Sequence, residues 1–288
     1  MIPRPYAYVN GRYVRQSKAR IAIDDRGWRF GDGLFETITI DRGLPYQWEF
    51  HLARLKSGLA ALAIPEPPHD LANIIKKLLR KNRQADGFIR LAISRGVGSR
   101  GYRPYPQPLT PSLIIESLRV MEGPKNPYRL WLSSWQRVLP TQLPGQFKLA
   151  QGMASTLALL EAETHQAQEA LLLNPRGEIA EAASANLFWL AGGRLYTPVL
   201  ATGCVNGSTR AAVLRFSPLP VEEVAAPLET LAAAEAVWLT NGRIGIHPVA
   251  EIMPLAYRYA PHPLTTELQQ RFARDKTEYH FRHEEDWR

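Results

Sequence analysis

Apolar residues recur at helical spacing at Leu52, Leu55, Leu59 and Leu62, which predicts a helix over about 49–62. A cleaner stripe at Leu71, Ile74, Ile75, Leu78 and Leu79 predicts a second helix. The period then drops to two: Ile89, Leu91 and Ile93 alternate with Arg90, Ala92 and Ser94, as in a half-buried strand. Strands are also predicted over 6–14, 35–40 and 112–119. The first two of these are joined through the turn-rich DDRGWRFGDG.

The pattern breaks at MEGPKNP, where a glycine and two prolines interrupt it. A domain boundary is expected there, giving a smaller domain over 1–121 and a larger one over 122–288. Beyond it, strand-like runs over 129–134, 169–174, 186–190, 194–197 and 236–240 alternate with helices. One helix follows Gly152, one follows Ser208, one covers about 227–234, and one lies near 263–277. NPRGE reads as a hairpin turn. The fold class is mixed α/β (α+β) in two unequal halves, and a chain of 288 residues is longer than one core usually grows.

Composition narrows this picture. Hydrophobic residues at 45% and charged residues at 22% are ordinary for a globular protein. No apolar run approaches the roughly 20 residues that cross a bilayer, and MIPRPYAYVNGRYV lacks the apolar core of a signal peptide. One cysteine, Cys204, allows no internal disulfide, so a cytoplasmic protein is expected. The net charge of +8 is dispersed among acids. Its densest group, Lys76, Lys77, Arg80, Lys81 and Arg83, falls on the polar face of the second helix. No aromatic-plus-basic motif marks a nucleic-acid partner. An anionic small-molecule substrate uses the same positive field.

Five places carry candidate chemistry. Lys148 stands between Phe147 and Leu149, and an apolar setting favours the neutral amine that forms Schiff bases; most lysines with apolar neighbours simply snorkel to water. Glu181, in GEIAEAASANLFWL, is either a solvent-facing strand end or a carboxylate able to keep a pyridine nitrogen protonated. Asn186, five residues on, can fix the same segment by bonding backbone. GCVNGSTRAAVLRF places Ser208 and Thr209 at a helix start, which is either ordinary capping or a phosphate site. Thr240, Asn241 and Gly242 end a strand and offer a second hydroxyl. Arg54 is offset from the leucine stripe of its helix, so it can point away from the core; a guanidinium suits phosphate geometry, although an exposed helical arginine is the commoner case.

Taken in order, these segments resemble the class IV aminotransferases. The resemblance rests on a lysine, then E-x4-N-L-F, then N-G-S-T-R, then T-N-G-x-x-G-I-x-P-V, with an early FGDGLFET and H-L-A-R-L. It runs from about residue 8 to 252. It implies the two-domain D-amino-acid-aminotransferase-like fold of pyridoxal-phosphate enzymes, with the larger domain binding the cofactor. It further implies pyridoxal 5'-phosphate on Lys148, the pyridine nitrogen on Glu181, and the phosphate on Arg54, Ser208, Thr209 and Thr240, with no metal. A homodimer is implied too, its active site between the domains and near the partner subunit.

Within that family ISRGVGSRGYRP resembles the R-G-x-G-G-R-G-Y run of 4-amino-4-deoxychorismate lyases, with Ser99 replacing one glycine. The R-x-H carboxylate trap of D-amino-acid enzymes is missing, since Arg100-Gly101-Tyr102 has no histidine. Met153 stands where branched-chain enzymes usually place a tyrosine. LAQGM and Ala180 depart from the lyase pattern, so an aminotransferase for D-amino or branched-chain acids is the second expectation. The lyase substrate carries two carboxylates, and Arg95, Arg100, Tyr102 and Arg103 are the candidates to meet them.

Overall fold

The structure, a computed structural model, describes residues 5–104, 109–119 and 122–287. Its contacts divide the chain into two compact units. The first comprises Met1–Met121 together with Phe147–Gln151 and Glu278–Arg288; the second comprises Glu122–Gln146 and Gly152–Thr277. Two stretches from beyond residue 122 therefore fold with the first unit, and one of them carries Lys148.

The first unit runs β1 (Tyr6–Val9), β2 (Arg12–Arg15), α1 (Arg26–Phe30), β3 (Gly33–Asp41), β4 (Leu44–Pro45), α2 (Trp48–Ala61), α3 (Leu71–Asn82), β5 (Gly87–Ser94) and β6 (Ser112–Leu118). Among the described residues its strands form an antiparallel six-stranded sheet in the order β2-β1-β6-β5-β3-β4. The expected single strand over 6–14 is a hairpin instead. Asn10 and Gly11 both take positive φ, 43° and 90°, which is the two-residue turn that matches strand twist. Helix α3 buries Ile74, Ile75, Leu78 and Leu79 and is capped by Asp70, which accepts from Asn73 N at 3.0 Å. It packs on β1 and β6, while α2 packs on β3. Their shared core includes Leu55, Leu59, Ile75, Leu78, Ile89 and Ile115.

The second unit contains β7 (Tyr128–Leu132), α4 (Met153–Thr164), β8 (Glu169–Leu173), β9 (Ile179–Ala182), β10 (Asn186–Ala191), β11 (Arg194–Pro198), α5 (Ser208–Phe216), β12 (Val221–Val224), β13 (Ala236–Asn241), β14 (Gly245–Met253) and β15 (Tyr257–Arg258). Helix α6 (Leu264–His283) begins in this unit, and its residues from Glu278 belong to the first. Among the described residues the strands form a mixed sheet in the order β12-β11-β10-β13-β14-β7-β8-β9, with β15 paired to β14. The expected helix over 227–234 is a short 3-10 turn, Leu228–Ala233. Asn174–Glu178 makes the hairpin between β8 and β9, with Gly177 at φ 75°. No helix among the described residues is long and apolar enough to cross a membrane.

Candidate active site

In the first unit, Lys148 is placed by backbone pairing. Phe35 N donates to Lys148 O at 2.9 Å and Ala150 N donates to Gly33 O at 2.9 Å, so the segment lines the edge of β3 that β4 leaves uncovered. The lysine is half-buried, with its Nζ 4.3 Å from the centroid of the Phe35 ring.

Strand β3 alternates buried Leu34, Glu36, Ile38 and Ile40 with partly exposed Phe35, Thr37 and Thr39. Glu36 thus lies on the core face, where a carboxylate must find partners. Helix α2 supplies them, three residues apart. His51 Nδ1 meets Glu36 Oε2 at 2.7 Å, Arg54 Nε donates to Oε1 at 2.8 Å, and Arg54 Nη2 donates to Oε2. Arg54 does not point away from the core, as its offset from the leucine stripe allowed, and it is not the exposed helical arginine that is the commoner case. It is buried beside His51, Leu55, Gly58 and Leu59, because the charge on β3 draws the helix's polar residues inward. Burial pushes Glu36 up, but the bond from His51 and the Arg54 guanidinium outweigh it and bring it down to about 2. Burial also lowers His51, against the opposing pull of Glu36; the charges of Arg54 and Lys148 lower it further. The ionised carboxylate only accepts, so His51 Nδ1–H donates to Glu36 Oε2.

The segment 93–104 lies in the same unit, and its base is rigidly held. Buried Arg26 donates to Asp32 Oδ2, Gly101 O and Tyr102 O, each at 2.8 Å. Arg95 donates to both oxygens of Asp32 and to the carbonyls of Leu62 and Ala63. Burial raises Asp32, yet the bonds from Arg95 and Arg26 hold it below the usual carboxylate range. Arg95 is thus committed to scaffolding and is not placed to read a substrate. Arg100, Tyr102 and Arg103 are exposed, Tyr102 to 86%. Asp32 and Glu36 lie in FGDGLFET and His51 opens HLARL, but those motifs gave none of the three a role, and Arg26 lies outside them; a charge at a core-facing position of β3 was the further signal.

In the second unit, buried Glu181 stands on β9 with both oxygens engaged. Oε1 lies 3.0 Å from Arg137 Nε, and Oε2 accepts from Val205 N at 2.9 Å and Asn186 Nδ2 at 3.2 Å. Arg137 was missed from sequence, where it sits in an irregular run without motif. Its guanidinium also donates to Gly203 O and Gly145 O.

Asn186 organises the remaining groups. Its Nδ2 also donates to Val205 O at 2.8 Å, and it lies opposite Thr240 in the β10–β13 ladder. Its Oδ1 is so close to Gly207 that a Cβ there would meet it at 2.1 Å. Only glycine allows α5 to begin so near. Ser208 is the first helical residue and does not cap the helix; Gly207 is the cap, with no side-chain bond to the first-turn N–H groups. Thr209 and Thr240 are buried, and Thr240 Oγ1 has no hydrogen-bond partner among the described residues. Uncapped N–H groups and an orphaned hydroxyl, brought together by Asn186, suit a ligand rich in acceptor oxygens, such as a phosphate. The residues therefore fit a phosphorylated cofactor. Cys204, close by in sequence, is buried, and burial pushes its thiol up to about 12, so it stays protonated.

Comparison with known proteins shows the family. A family model described as amino-transferase class IV matches residues 33–252. Aminodeoxychorismate lyase of Bacillus subtilis (strain 168) is 30% identical over 276 residues, covering 91% of this chain and 92% of that protein. Among solved structures, 4-amino-4-deoxychorismate lyase from Pseudomonas aeruginosa superimposes with a TM-score of 0.81 at 30% identity, covering 93% of this chain and 98% of the other. A T.th. branched-chain amino acid aminotransferase with pyridoxamine 5'-phosphate gives a TM-score of 0.87 at 25% identity, covering 97% and 98%. The chain belongs to the class IV aminotransferases, a family of pyridoxal 5'-phosphate enzymes.

Proposed function

We propose that this chain is a 4-amino-4-deoxychorismate lyase, releasing 4-aminobenzoate, the folate precursor, and pyruvate. The observation that carries the reading is the segment 93–104, whose base Arg26, Asp32 and Arg95 hold while Arg100, Tyr102 and Arg103 lie exposed. Exposed arginines beside a fixed frame suit a substrate with two carboxylates, each able to take charge-assisted bonds. The similarity to two lyases at 30% identity supports it.

Lys148 is the residue that carries the cofactor and whose ε-amine takes the proton from the amine-bearing ring carbon. Bound pyridoxal 5'-phosphate supplies the electron sink for that step. Glu181, steadied by Arg137, Asn186 and Val205, holds the proton on the pyridine nitrogen. Arg54, Ser208, Thr209 and Thr240 bind the phosphate. Arg100 and Arg103 hold the substrate carboxylates while the enolpyruvyl group departs as pyruvate and the ring becomes aromatic. We place the enzyme in the cytoplasm as a homodimer, and the lone thiol of Cys204 fits a reducing compartment.

Incubation with aminodeoxychorismate is expected to release 4-aminobenzoate and pyruvate in equal amounts with no keto-acid acceptor. A strict requirement for an acceptor would sink the lyase reading. It would favour instead a transaminase for D-amino or branched-chain acids, to which the 0.87 superposition on a branched-chain enzyme gives weight.

A further inference from the structure

We propose that Glu36 is the positioning residue for the cofactor's phosphate, acting through Arg54; this rests on the reading of Arg54 as a phosphate ligand. Glu36 is buried on the core face of β3 among Leu34, Ile38 and Ile40, a place where alternation calls for an apolar side chain. Such a charge costs stability unless it is matched, and replacement of buried ion pairs by apolar groups is often neutral or stabilising. A role beyond holding α2 on β3 accounts for keeping it.

Geometry names that role. An arginine side chain is flexible and loses rotamer entropy when it is ordered. Glu36 removes it beforehand, gripping Arg54 by Nε and Nη2 through both carboxylate oxygens. A guanidinium held along that edge has its Nη1 side aimed in one direction. His51 in turn fixes the carboxylate by its Nδ1 bond to Oε2, and Arg54 lies over the Phe50 ring, 5.5 Å from the centroid. Glu36 carries no substrate chemistry of its own. With the Nε–Nη2 edge taken by the carboxylate, it turns a flexible cation into one whose Nη1 side keeps a fixed direction, as charge-assisted recognition of phosphate requires.

The test compares two forms of the cofactor that differ only in the phosphate. The full-length protein, stripped of cofactor, is titrated with pyridoxal 5'-phosphate and with pyridoxal, following absorbance. Glu36→Gln puts an amide N–H₂ or a neutral oxygen against the guanidinium. It is expected to lower the preference for the phosphorylated form by about tenfold or more, the size of one charged hydrogen bond. Affinity for pyridoxal is expected to stay unchanged. Arg54→Lys, which keeps the charge and loses the fork, is expected to match it, and the double variant to be no worse than the poorer single. Glu36→Asp keeps the carboxylate and is expected to restore part of the preference; should Glu36→Gln not fold, it decides the matter, with a partial loss expected.

An unchanged preference in the Glu36 variants alongside a loss in Arg54→Lys would make Glu36 merely structural. Equal weakening of both ligands would mean general damage and overturn the proposal too. If Arg54→Lys also leaves the preference intact, the reading of Arg54 as a phosphate ligand fails, and this proposal with it.

Discussion

Glu36 and Glu169 are both strand glutamates in protein interiors, exposed to 2% and 3%, yet they are driven in opposite directions. Glu36 meets an arginine and a histidine and falls to about 2. Glu169 accepts from Ser184 Oγ and from the Ala170 N–H at 3.0 Å. Burial pushes it up, those bonds offset this only in part, and the nearby charge of Glu181 adds to the rise. Equal burial therefore does not set the direction in which a carboxyl is driven. The presence of a cation does.

The same difference gives opposite linkage to pH. Glu36 is depressed in the folded state, so its contribution is fully present above the ordinary 4.5 and is lost as pH falls toward 2. Glu169 is raised, so the fold prefers its protonated form; its cost is absent below the ordinary carboxylate value and grows as pH rises through the folded value.

The largest expected effect comes from removing the cation. Arg54→Ala leaves Glu36 charged and buried and is expected to cost about 3–5 kcal/mol in urea unfolding at neutral pH. A loss under about 1 kcal/mol would mean that the pair contributes no more than an exposed one. Glu181 tests the comparison in catalysis, because it has Arg137 for a cation but neutral donors on its other oxygen. Glu181→Gln is expected to keep the cofactor bound and raise the barrier by about 2.7–4 kcal/mol, or 10²–10³ in kcat. An unchanged kcat would remove Glu181 from the pyridine nitrogen.

The arginines of segment 93–104 offer a smaller version of the contrast. Arg95 is spent on Asp32 and two carbonyls, and Arg100 is exposed. Arg100→Ala is expected to lower kcat/KM by about 1.5–3 kcal/mol, the range for hydrogen bonds to charged groups, with cofactor affinity unchanged. Wild-type kinetics toward aminodeoxychorismate would leave that loop without a substrate role. The smallest effect is expected at Glu169. Glu169→Gln can reorient its bonds with the Ser184 hydroxyl, and its stability should stay within about 1 kcal/mol of wild type. Measured against pH, the variant should lack the decline above the ordinary carboxylate range; a steeper decline would reverse the sign assigned to Glu169.

How far sequence reached depended on whether a residue's role is local. The stripe of α3 and the alternation of β5 are short-range patterns, and both elements formed where those patterns lie. The order of motifs around Lys148, Glu181 and Ser208 was readable for the same reason. The burial of Arg54 was not, because it depends on Glu36 facing it from another element, and periodicity within α2 alone pointed the other way. The hairpin at Asn10–Gly11 was legible, since Asn-Gly between strand-like residues is a hairpin signal, and the single strand over 6–14 passed over it. Arg137 has no pattern at all; only the folded position of Glu181 gives it meaning.

The pairing of Lys148 and Ala150 with β3 has a consequence for synthesis on the ribosome. A chain emerging N-terminus first exposes β1 to β6 long before residues 147–151 follow. Until then Gly33–Phe35 presents unsatisfied backbone groups along an open strand edge, the feature that recruits other chains into aggregates. The last turn of α6 arrives later still, bringing Tyr279, whose hydroxyl bonds Trp48 N and Glu49. The first unit to be translated is thus among the last to be completed.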